Sequence, residues 1–516
     1  MKLAGCAEET HRHGRLVHRQ GGIGLSPEQG YPEPEIKVYP APEGAVGNGD
    51  FAVKVRTPGG EWRSLFSYNV KVDMHHVRDA SMVMFDCTGP AEIEAVYTRG
   101  PVEQAVVRPL SAGLACKHHD QLISLKIDGP RLLSLEVNGE RFHNLHIFAN
   151  PMETEVPDGS GAGVLLLKPD THDTAELLRN LAQMPADGGS RRTLLFGPGL
   201  HRLLDDRLDI PSGTTVYLAG GAVVYGGLIC DQVHDVTITG RGILYMSEFE
   251  KNTFYRGVEV SLSRNIRIEG ITVIDPPHYT VLLGESERIQ ISNLKSFSTR
   301  GWCDGIDMMA CSEVNIEGGF LRTSDDCIAV YASRGDYRGD TRNITASGTV
   351  LWADVAHPVN IGTHGDYEGE GNVIENLRFT DIDILEHHEP QPDYWGCLAI
   401  NAGDNNIVRN VTFEDIRIED FELGELFNLR VLRNEKYNPV PGRRIEQVLF
   451  KNIHYSGTSR NPSHIEGYDE DRWAGRITFE QVTVNGKAFG TKEEHLRIGK
   501  HVREIKGIEP GNGGGR

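Results

Sequence analysis

The chain has 516 residues, of which 39% are hydrophobic, and its 53 Lys and Arg against 73 Asp and Glu give a formal net charge of −20. This length and apolar content are enough for a large core and favour two domains over one. The acidic balance, without a basic stripe or a phosphate-binding glycine loop, argues against nucleic acids and nucleotides as partners.

The first part of the chain predicts a small β-domain. Residues 1–34 are polar and irregular, and we expect an irregular N-terminal segment there. Residues 35–160 contain short stretches of alternating apolar and polar residues between Gly, Pro and Asn breaks: Glu35–Tyr39, Phe51–Val55, Ser81–Phe85 and Glu92–Tyr97. Strands at intervals of roughly 8–12 residues are typical of an antiparallel β-sandwich, which we predict for residues 35–160.

A helix is predicted next. Residues 157–163 are rich in Gly and mark the join between the two domains. Beyond them, Asp173–Leu181 has Leu and Ala at helical spacing after an Asp/Thr cap. We expect this helix to cover the open end of the second domain, because repetitive folds need a cap on their first repeat.

From residue 236 onward the chain repeats a short motif in which apolar and polar residues alternate. Anchored on Ile238, Ile268, Ile291, Ile316 and Ile344, the spacings are 30, 23, 25 and 28 residues. Such a loose period indicates a solenoid with loops inserted into some repeats. We therefore predict an all-β chain with a right-handed parallel β-helix over residues 165–505 and a flexible tail at 506–516. Sandwich or propeller folds fit less well, because each unit has only two or three short strands.

Three acidic residues and a histidine recur at the coil spacing. Asp304 lies 21 residues before Asp325, and His357 lies 31 residues after Asp326. Adjacent coils stack at roughly 4.8 Å, so these side chains are expected to line one groove. Neighbouring residues on a flat strand point to opposite faces, which places Asp325 and Asp326 at a strand end or bulge. Carboxylates facing one site, one protonated and one ionised, are what glycosidic bond cleavage requires.

The motifs around these residues resemble those of polygalacturonase-type glycoside hydrolases, family 28, and their dextranase and isopullulanase relatives in family 49. Asp304-Gly305 is similar to the Asn-Thr-Asp-Gly segment of family 28, Asp325-Asp326 to its Gln-Asp-Asp segment, and His357 with Ile361-Gly362 to its Gly-His-Gly and Ser-Ile-Gly segments. The resemblance covers roughly residues 165–500. The N-terminal sandwich resembles the dextranase-like family more closely; it either binds glycan or, as we favour, caps the β-helix.

The resemblance implies a mechanism and a substrate. It implies single displacement with inversion, in which Asp325 protonates the glycosidic oxygen while Asp304 and Asp326 activate water. Acid and base carboxyls should then be roughly 6.5–9.5 Å apart. His357 would orient a carboxylate or a substrate hydroxyl, and Asp307 and His278, within matched segments, are predicted to bind substrate. The sequence thus predicts an inverting glycosidase whose partner is an oligo- or polysaccharide.

The chain departs from the pectin-cleaving pattern at one segment. Those enzymes carry Arg-Ile-Lys one coil after the His to hold the galacturonate carboxylate, and here Ala399 and Asn401 stand at those positions. Without that pair of cations a polyanionic substrate loses support. We therefore predict a neutral, dextran-like glycan, and a polygalacturonase acting on pectic oligosaccharides is the alternative, with Arg430 as its source of positive charge. Tyr394, Trp395 and Trp352 are candidate stacking platforms for sugar rings.

Three functions from other classes stay open: a uronate lyase, an epimerase and a non-catalytic glycan-binding β-helix. A lyase would need calcium on the acidic trio and a basic residue, and no such residue is evident at coil spacing. The Cys116–Asp120 and His387–Glu389 clusters lack the spacing of zinc motifs, so neither a metal nor a cofactor is predicted.

The chain is expected to be cytoplasmic. Residues 1–6, ending at Cys6, resemble a lipoprotein cleavage box, but no apolar run precedes Cys6, and no segment has the length and apolarity of a membrane span. The eight cysteines show no paired spacing, which agrees with a reducing compartment.

Overall fold

A computed structural model describes residues 33–185, 191–251, 256–490 and 495–508. Nearly all of the predicted N-terminal segment, and the predicted tail beyond residue 508, lie outside these ranges. The last strand runs over Val502–Lys506, so the β-structure reaches the first residue of the predicted tail. Within the described ranges no helix combines the length and the apolar character that crossing a membrane requires.

The N-terminal part consists of two sheets around one core. One sheet contains Ile36–Lys37, Tyr68–Val72, Arg78–Cys87, Ala105–Arg108, Arg131–Val137 and Glu140–Pro151. The other contains Phe51–Arg56, Arg63–Leu65, Ala91–Tyr97, Cys116–His119 and Leu122–Ile127. A short 3₁₀-helix spans Leu110–Ala112. Alternate residues of both sheets, among them Val55, Phe85 and Leu135, are buried in one cluster, as in a sandwich.

The sandwich differs from a purely antiparallel one at a single pair. Glu140–Pro151 runs parallel to Arg78–Cys87 in the centre of the first sheet, and the other pairings of both sheets are antiparallel. A parallel neighbour requires a long crossover, which the strands of the second sheet supply. Sequence alternation gives strands but not their direction, so this pair was not predicted.

The predicted helix is confirmed as Thr174–Gln183. The side chain of Asp173 accepts a hydrogen bond from the Glu176 backbone N–H at 3.0 Å and caps the helix. Leu177 and Leu181 are buried against the first coil of the second domain. The helix therefore covers the apolar end of the solenoid.

The second domain is a right-handed parallel β-helix whose strands pair coil to coil in three stacks. We call the first stack the groove sheet: Val258–Ser261, Val281–Gly284, Ile306–Met309, Ile328–Tyr331, Val359–Gly362, Leu398–Ala402, Phe427–Val431, Ser463–Glu466 and Leu496–Ile498. The second stack contains Val164–Leu167, Arg192–Phe196, Thr214–Leu218, His234–Gly240, Arg264–Glu269, Glu287–Ser292, Ser312–Glu317, Thr341–Ser347, Trp473–Glu480 and Val502–Lys506.

The third stack faces the sandwich, and five longer strands turn a corner from one stack into another. The third stack contains Thr171–His172, Ile243–Tyr245, Thr272–Ile274, Lys295–Phe297, Phe320–Thr323, Val350–Ala353 and Thr483–Val484, the last paired with Lys487–Ala488. The corner-turning strands are Gly199–Asp209, Ala222–Asp231, Val373–Glu386, Ile407–Ile418 and Arg444–Tyr455.

One corner of the β-helix is a single residue in the left-handed region of φ. Ten consecutive coils place such a residue in register, with φ between 49° and 60°: Asp235, Asn265, Arg288, Glu313, Asn343, Asn376, Asn410, Gln447, Arg476 and Glu504. Four of the ten are Asn, the non-glycine residue that tolerates this conformation best. Asn343, Asn376 and Asn410 also join their side-chain amides at 3.0 and 2.7 Å, so the corner is stabilised from coil to coil.

Apolar side chains fill the inside of the coils and the junction with the sandwich. Phe379, Phe413, Phe450 and Phe479 stack along the lumen at 5.1 Å between ring centroids. At the junction, Phe297, Phe320 and Trp352 of the third stack pack on Phe148 of the sandwich. Apolar packing therefore stabilises both the lumen of the solenoid and its face toward the sandwich.

The junction also contains a fully buried ion pair. The Arg322 guanidinium donates to both carboxylate oxygens of Asp354 at 3.0 to 3.2 Å. It also donates to the Asn144 amide oxygen at 3.1 Å and lies 4.0 Å from the centre of the Trp352 ring. The Asp73 backbone N–H donates to the same carboxylate. This pair links the two domains.

Candidate active site

The predicted acidic residues and histidine lie in consecutive coils, in the turns that lead into the groove sheet. Asp304 precedes Ile306–Met309, Asp326 precedes Ile328–Tyr331, and His357 precedes Val359–Gly362. The backbone amides of Gly305 and Cys327 donate to the carbonyls of Asp326 and His357 in the next coil, at 2.8 Å each. The predicted spacing of one coil between these residues is confirmed, as is the position of Asp325-Asp326 at a strand end.

Asp326 is surrounded by hydrogen-bond donors. Oδ1 accepts from the backbone N–H and the Nδ1 of His357, at 3.1 and 2.7 Å, and Oδ2 accepts from Asn360 at 2.8 Å and from the Tyr331 hydroxyl at 3.2 Å. Burial raises the pKa of Asp326, but the charge of His357 and these hydrogen bonds outweigh it and hold the pKa below its usual value. Asp326 is therefore ionised.

His357 is held as a cation. Its Nδ1 donates to Asp326, and its Nε2 donates to the backbone carbonyl of Tyr394 at 2.6 Å, so both ring nitrogens carry protons. Burial lowers the pKa of His357, yet the Asp326 carboxylate overcomes that effect and raises the pKa to about 9. A buried imidazolium thus fixes the charge of its neighbour.

Asp325 shows the opposite behaviour. Among the described residues, its carboxylate accepts hydrogen bonds from two backbone N–H groups, those of Trp302 at 3.0 Å and Asp326 at 3.2 Å. Burial, followed by the charge of Asp326, raises the pKa of Asp325 to about 7. Two adjacent carboxyl groups therefore have pKa values on opposite sides of the ordinary value, the condition for one acid and one base.

Asp304 and Asp307 form the crowded side of the site. The Asp304 Oδ1 and both carboxylate oxygens of Asp307 are buried and have no hydrogen-bond partner among the described residues. Burial raises the pKa of Asp304 well above its usual range, and the charges of the neighbouring aspartates add to the effect. Burial also raises the pKa of Asp307, and Arg334, 3.7 Å from its Oδ1, opposes the shift. Burial thus favours the neutral form of both carboxyls.

The three aspartates are closer together than the resemblance implies. One oxygen atom from each of Asp304, Asp325 and Asp326 lies within 4.8 Å of the other two. That approach is shorter than the roughly 6.5–9.5 Å expected of an inverting acid and base, and near the roughly 5–5.5 Å of retaining pairs. Three carboxylate oxygens at this spacing are also suitable ligands for a calcium ion.

An aromatic wall lies beside the carboxylates. The His278 ring lies 4.0 Å from the Tyr279 ring and 6.5 Å from that of Trp302, measured between centroids. Trp302 is 55% exposed, and Lys251 lies 4.6 Å from its ring centre. Burial, together with the charges of Arg256, Arg334 and Lys251, lowers the pKa of His278 to about 3, so this histidine is neutral.

The three predicted stacking platforms have different surroundings. Trp352 is 1% exposed in the junction with the sandwich, so its predicted role is wrong. Tyr394 is also buried, between the edge of His357 and the ring of Tyr437, and its hydroxyl contacts Asn360 and Thr363. It supports His357 rather than offering a ring face. Trp395 is partly exposed, so the platform role stays a prediction for that residue.

The segment that departs from the pectinase pattern lies on the floor of the groove. Ala399 and Asn401 pair with Asn360 and Gly362 of the preceding coil, and Asn401 donates to Asn360 at 3.3 Å. Arg430 pairs in register with Asn401 on the following coil. Its guanidinium donates to the Asp393 carbonyl at 2.8 Å and lies 3.4 Å from Glu466, so its charge is already engaged.

Sequence reasoning missed four side chains of the site. Arg334, Tyr331 and Asn360 contact Asp307 or Asp326, and Trp302 is the exposed ring. Tyr331 and Asn360 stand on groove strands at positions that point outward with Asp307, so strand alternation could have found them. Arg334 follows its strand in a loop, where no periodic signal exists.

Two kinds of similarity bear on this site. The sequence profile of "Glycosyl hydrolases family 28" matches residues 237–497, about half of the chain and all of the site described above. The chain belongs to glycosyl hydrolases family 28. Exopolygalacturonase B of Aspergillus niger is 25% identical over 255 residues, which are 44% of this chain and 55% of that protein. A polygalacturonase of Juniperus ashei is 25% identical over 215 residues, 40% of this chain and 39% of that protein.

This family 28 chain therefore spans about half the length of the curated relatives it matches. Among solved structures, Dex49A from Penicillium minioluteum superposes with a TM-score of 0.55 at 14% identity, over 91% of this chain and 96% of that one. The likeness includes both the sandwich and the β-helix and shows a shared fold.

Proposed function

We propose that this protein hydrolyses O-glycosidic bonds in an oligo- or polysaccharide. The observation that carries the proposal is the contrast between Asp325, whose pKa burial raises to about 7, and Asp326, whose pKa His357 holds below the usual value. A proton donor and an ionised carboxylate on neighbouring residues supply both halves of acid/base cleavage at neutral pH.

Each carboxyl group has a distinct role in this proposal. Asp325 donates its proton to the glycosidic oxygen as the bond to the leaving sugar breaks. Asp326, the ionised carboxylate, takes a proton from the attacking water. Asp304, whose neutral form is favoured by burial and by the charges of its neighbours, holds that water through a hydrogen bond. His357 is a positioning residue, because it acts on Asp326 and not on the substrate.

We propose a neutral glycan, related to dextran, as the preferred substrate. Ala399 and Asn401 give no cation on the floor of the groove, and Arg430 is engaged by the Asp393 carbonyl and Glu466. The formal net charge of −20 gives a polyanion no long-range attraction. A neutral glycan needs neither a cation in the groove nor long-range attraction to the protein.

A polygalacturonase is the second candidate, and two observations favour it. Similar curated proteins are named polygalacturonases or exopolygalacturonases. Lys251 and Arg334 also stand on the Asp304 side of the site, where they could approach a substrate carboxylate. Binding of an acidic sugar would then depend on cations other than the ones that pectinases use.

Reducing-end release from isomalto-oligosaccharides and oligogalacturonides, measured side by side, tests the proposal. We expect release from the neutral series and a loss of roughly 10²–10⁴-fold in Asp325→Asn, because that variant lacks the general acid. Asp128→Asn, at an exposed position of the sandwich, is the matched control and should retain full activity. Release from galacturonides alone would overturn the neutral preference and keep the mechanism. An unsaturated product lost with chelator would indicate a lyase.

The anomer formed first decides between inversion and retention. We propose inversion, and proton NMR during the first turnovers should then show the anomer opposite to that of the substrate. Retention would mean that the 4.8 Å cluster acts as a nucleophile and acid pair.

A further inference from the structure

A partly open cavity of about 280 Å³ lies beside the catalytic carboxylates, in the loops that follow the groove strands. It is lined by side chains from four loops, among them Arg334, His364, Tyr367, Asp404 and Tyr437. This volume is slightly below the roughly 300–1,000 Å³ of small-molecule pockets, so it suits a single sugar unit rather than a chain.

Three lining side chains connect the cavity to the catalytic groups. Arg334 lies 3.7 Å from Asp307, and the His364 ring lies 5.0 Å from the ring of Tyr331, which donates to Asp326. Tyr437 stacks on Tyr394, the residue whose carbonyl accepts from His357. A ligand in the cavity is therefore one side chain away from the reacting atoms.

The cavity contains polar atoms without partners. Asp404 is 3% exposed; its Oδ2 accepts from the Gly365 backbone at 3.3 Å, but its Oδ1 has no hydrogen-bond partner among the described residues. The Arg334 Nη1 is likewise buried and makes no hydrogen bond within the described ranges. Buried polar groups are normally satisfied, so the open acceptor of Asp404, beside an Arg334 nitrogen that Asp307 approaches only to 3.7 Å, points to a polar ligand.

An aromatic ring and the balance of charges narrow the ligand class. Tyr367 is 49% exposed at the rim and offers a ring face to an apolar sugar surface. Three carboxylates, from Asp366, Glu368 and Asp404, line the cavity with the two guanidinium groups of Arg334 and Arg338. The guanidinium of Arg334 is shared with Asp307, so a uronate would face a surplus of negative charge.

We propose that this cavity is a specificity pocket for one neutral sugar unit of the substrate, with a hydroxyl donating to Asp404, another oxygen accepting from Arg334, and the ring lying against Tyr367. The proposal rests on the proposed hydrolase function but concerns binding rather than bond cleavage. The pocket would also be the part of the protein that selects a neutral sugar over a charged one.

Calorimetric binding in the Asp325→Asn background tests the pocket without turnover. The probes are isomaltotriose, galactotriose and trigalacturonate. We expect a neutral trisaccharide to bind, with its Kd raised about tenfold by adding Asp404→Asn and severalfold by adding Tyr367→Ala. Tyr468→Ala replaces a tyrosine of similar exposure that does not line the cavity, and it should leave Kd unchanged. Asp404→Asn keeps the size of the side chain but removes its charge and replaces one acceptor oxygen by an NH2 donor.

Two outcomes separate this inference from the proposed function. If the wild-type protein hydrolyses a glycan while Asp404→Asn and Tyr367→Ala bind trisaccharides normally, the pocket is overturned and the hydrolase stands. If no glycan is cleaved but Kd still depends on Asp404, the pocket stands as a binding site and the hydrolase fails. Binding of trigalacturonate alone, or of none of the three probes, would overturn the neutral pocket.

Discussion

The molecule buries ionisable side chains in two places, and the two places differ in the partners that they give to those side chains. At the junction of the domains, Arg322 and Asp354 are paired through several hydrogen bonds, and the Trp352 ring lies against the guanidinium. At the groove, Asp304 and Asp307 are buried with oxygen atoms that have no partner among the described residues. Both centres are equally hidden from water.

This difference indicates a structural role for the junction residues and a chemical role for the groove residues. A buried ion pair whose hydrogen bonds are all made fixes one arrangement of the side chains and has no free donor or acceptor for a ligand. A cluster of buried carboxyl groups without hydrogen-bond partners destabilises the folded state, and such a cluster persists where its shifted pKa values are used. We therefore expect substitutions at the junction to change stability and substitutions at the groove to change activity.

The largest effect is expected at the junction. Arg322→Met should lower the free energy of unfolding by about 3–5 kcal/mol, because it leaves Asp354 buried without its partner. Urea denaturation measures the loss, and activity per folded molecule should be unchanged. Arg378→Met breaks an exposed ion pair with Glu414 and should cost less than about 1 kcal/mol. An equal loss of unfolding free energy in both variants would show that the buried pair is no more important for stability than an exposed one.

The second effect concerns the histidine that fixes the charge of Asp326. His357→Gln should lower kcat by about 10²-fold, the lower range for a group that controls acid/base catalysis. Because the imidazolium holds the pKa of Asp326 down, its loss should also move the acidic limb of the pH–rate profile to higher pH. A purely structural role would lower activity without moving that limb.

A gain in stability is expected third, at Asp304. Asp304→Asn removes a buried carboxyl whose pKa burial and neighbouring charges raise, and should stabilise the fold by about 0.5–2 kcal/mol at pH 7. Since the folded pKa lies above the unfolded one, protonating this group on folding costs free energy only above its unfolded pKa. The gain should therefore disappear near pH 3. Destabilisation at pH 7 would show that Asp304 is a paired group.

The smallest effect is the pH dependence of the wild-type protein. The pKa of Asp325 is raised to about 7, so the proton needed by the leaving group is lost as the pH rises through 7. The rate should fall about tenfold for each further pH unit. An alkaline limb near pH 9 instead would assign the essential acid to His357, whose pKa is about 9.

Much of this architecture follows from local patterns. Alternating residues and a period near one coil predicted the β-helix, and the intervals from Asp304 to His357 predicted a shared groove, because strand pairing turns a sequence interval into a distance. The cap at Asp173 predicted the helix for the same local reason. These features depend on residues close together in the sequence.

The missed features depend on residues far apart in the sequence. Trp352 was predicted to stack on a sugar ring, yet it lies on the third stack, which faces the sandwich. That position becomes evident from the packing of Phe148 on the third stack. Arg334 reaches Asp307 from a loop whose path no alternation encodes. The parallel pair in the sandwich likewise joins strands that are distant in the chain.

The left-handed corner of the β-helix has a consequence for how such a chain can vary. Successive corner residues are as close as 23 positions, from Asn265 to Arg288, and as far apart as 37, from Asn410 to Gln447. The corner itself keeps one residue in every coil, so the difference in length lies in loops, and the longest coil contains the segment with Tyr437. Insertions there would change which glycan is accepted while the scaffold stays the same. Specificity and scaffold can thus evolve, or be engineered, separately.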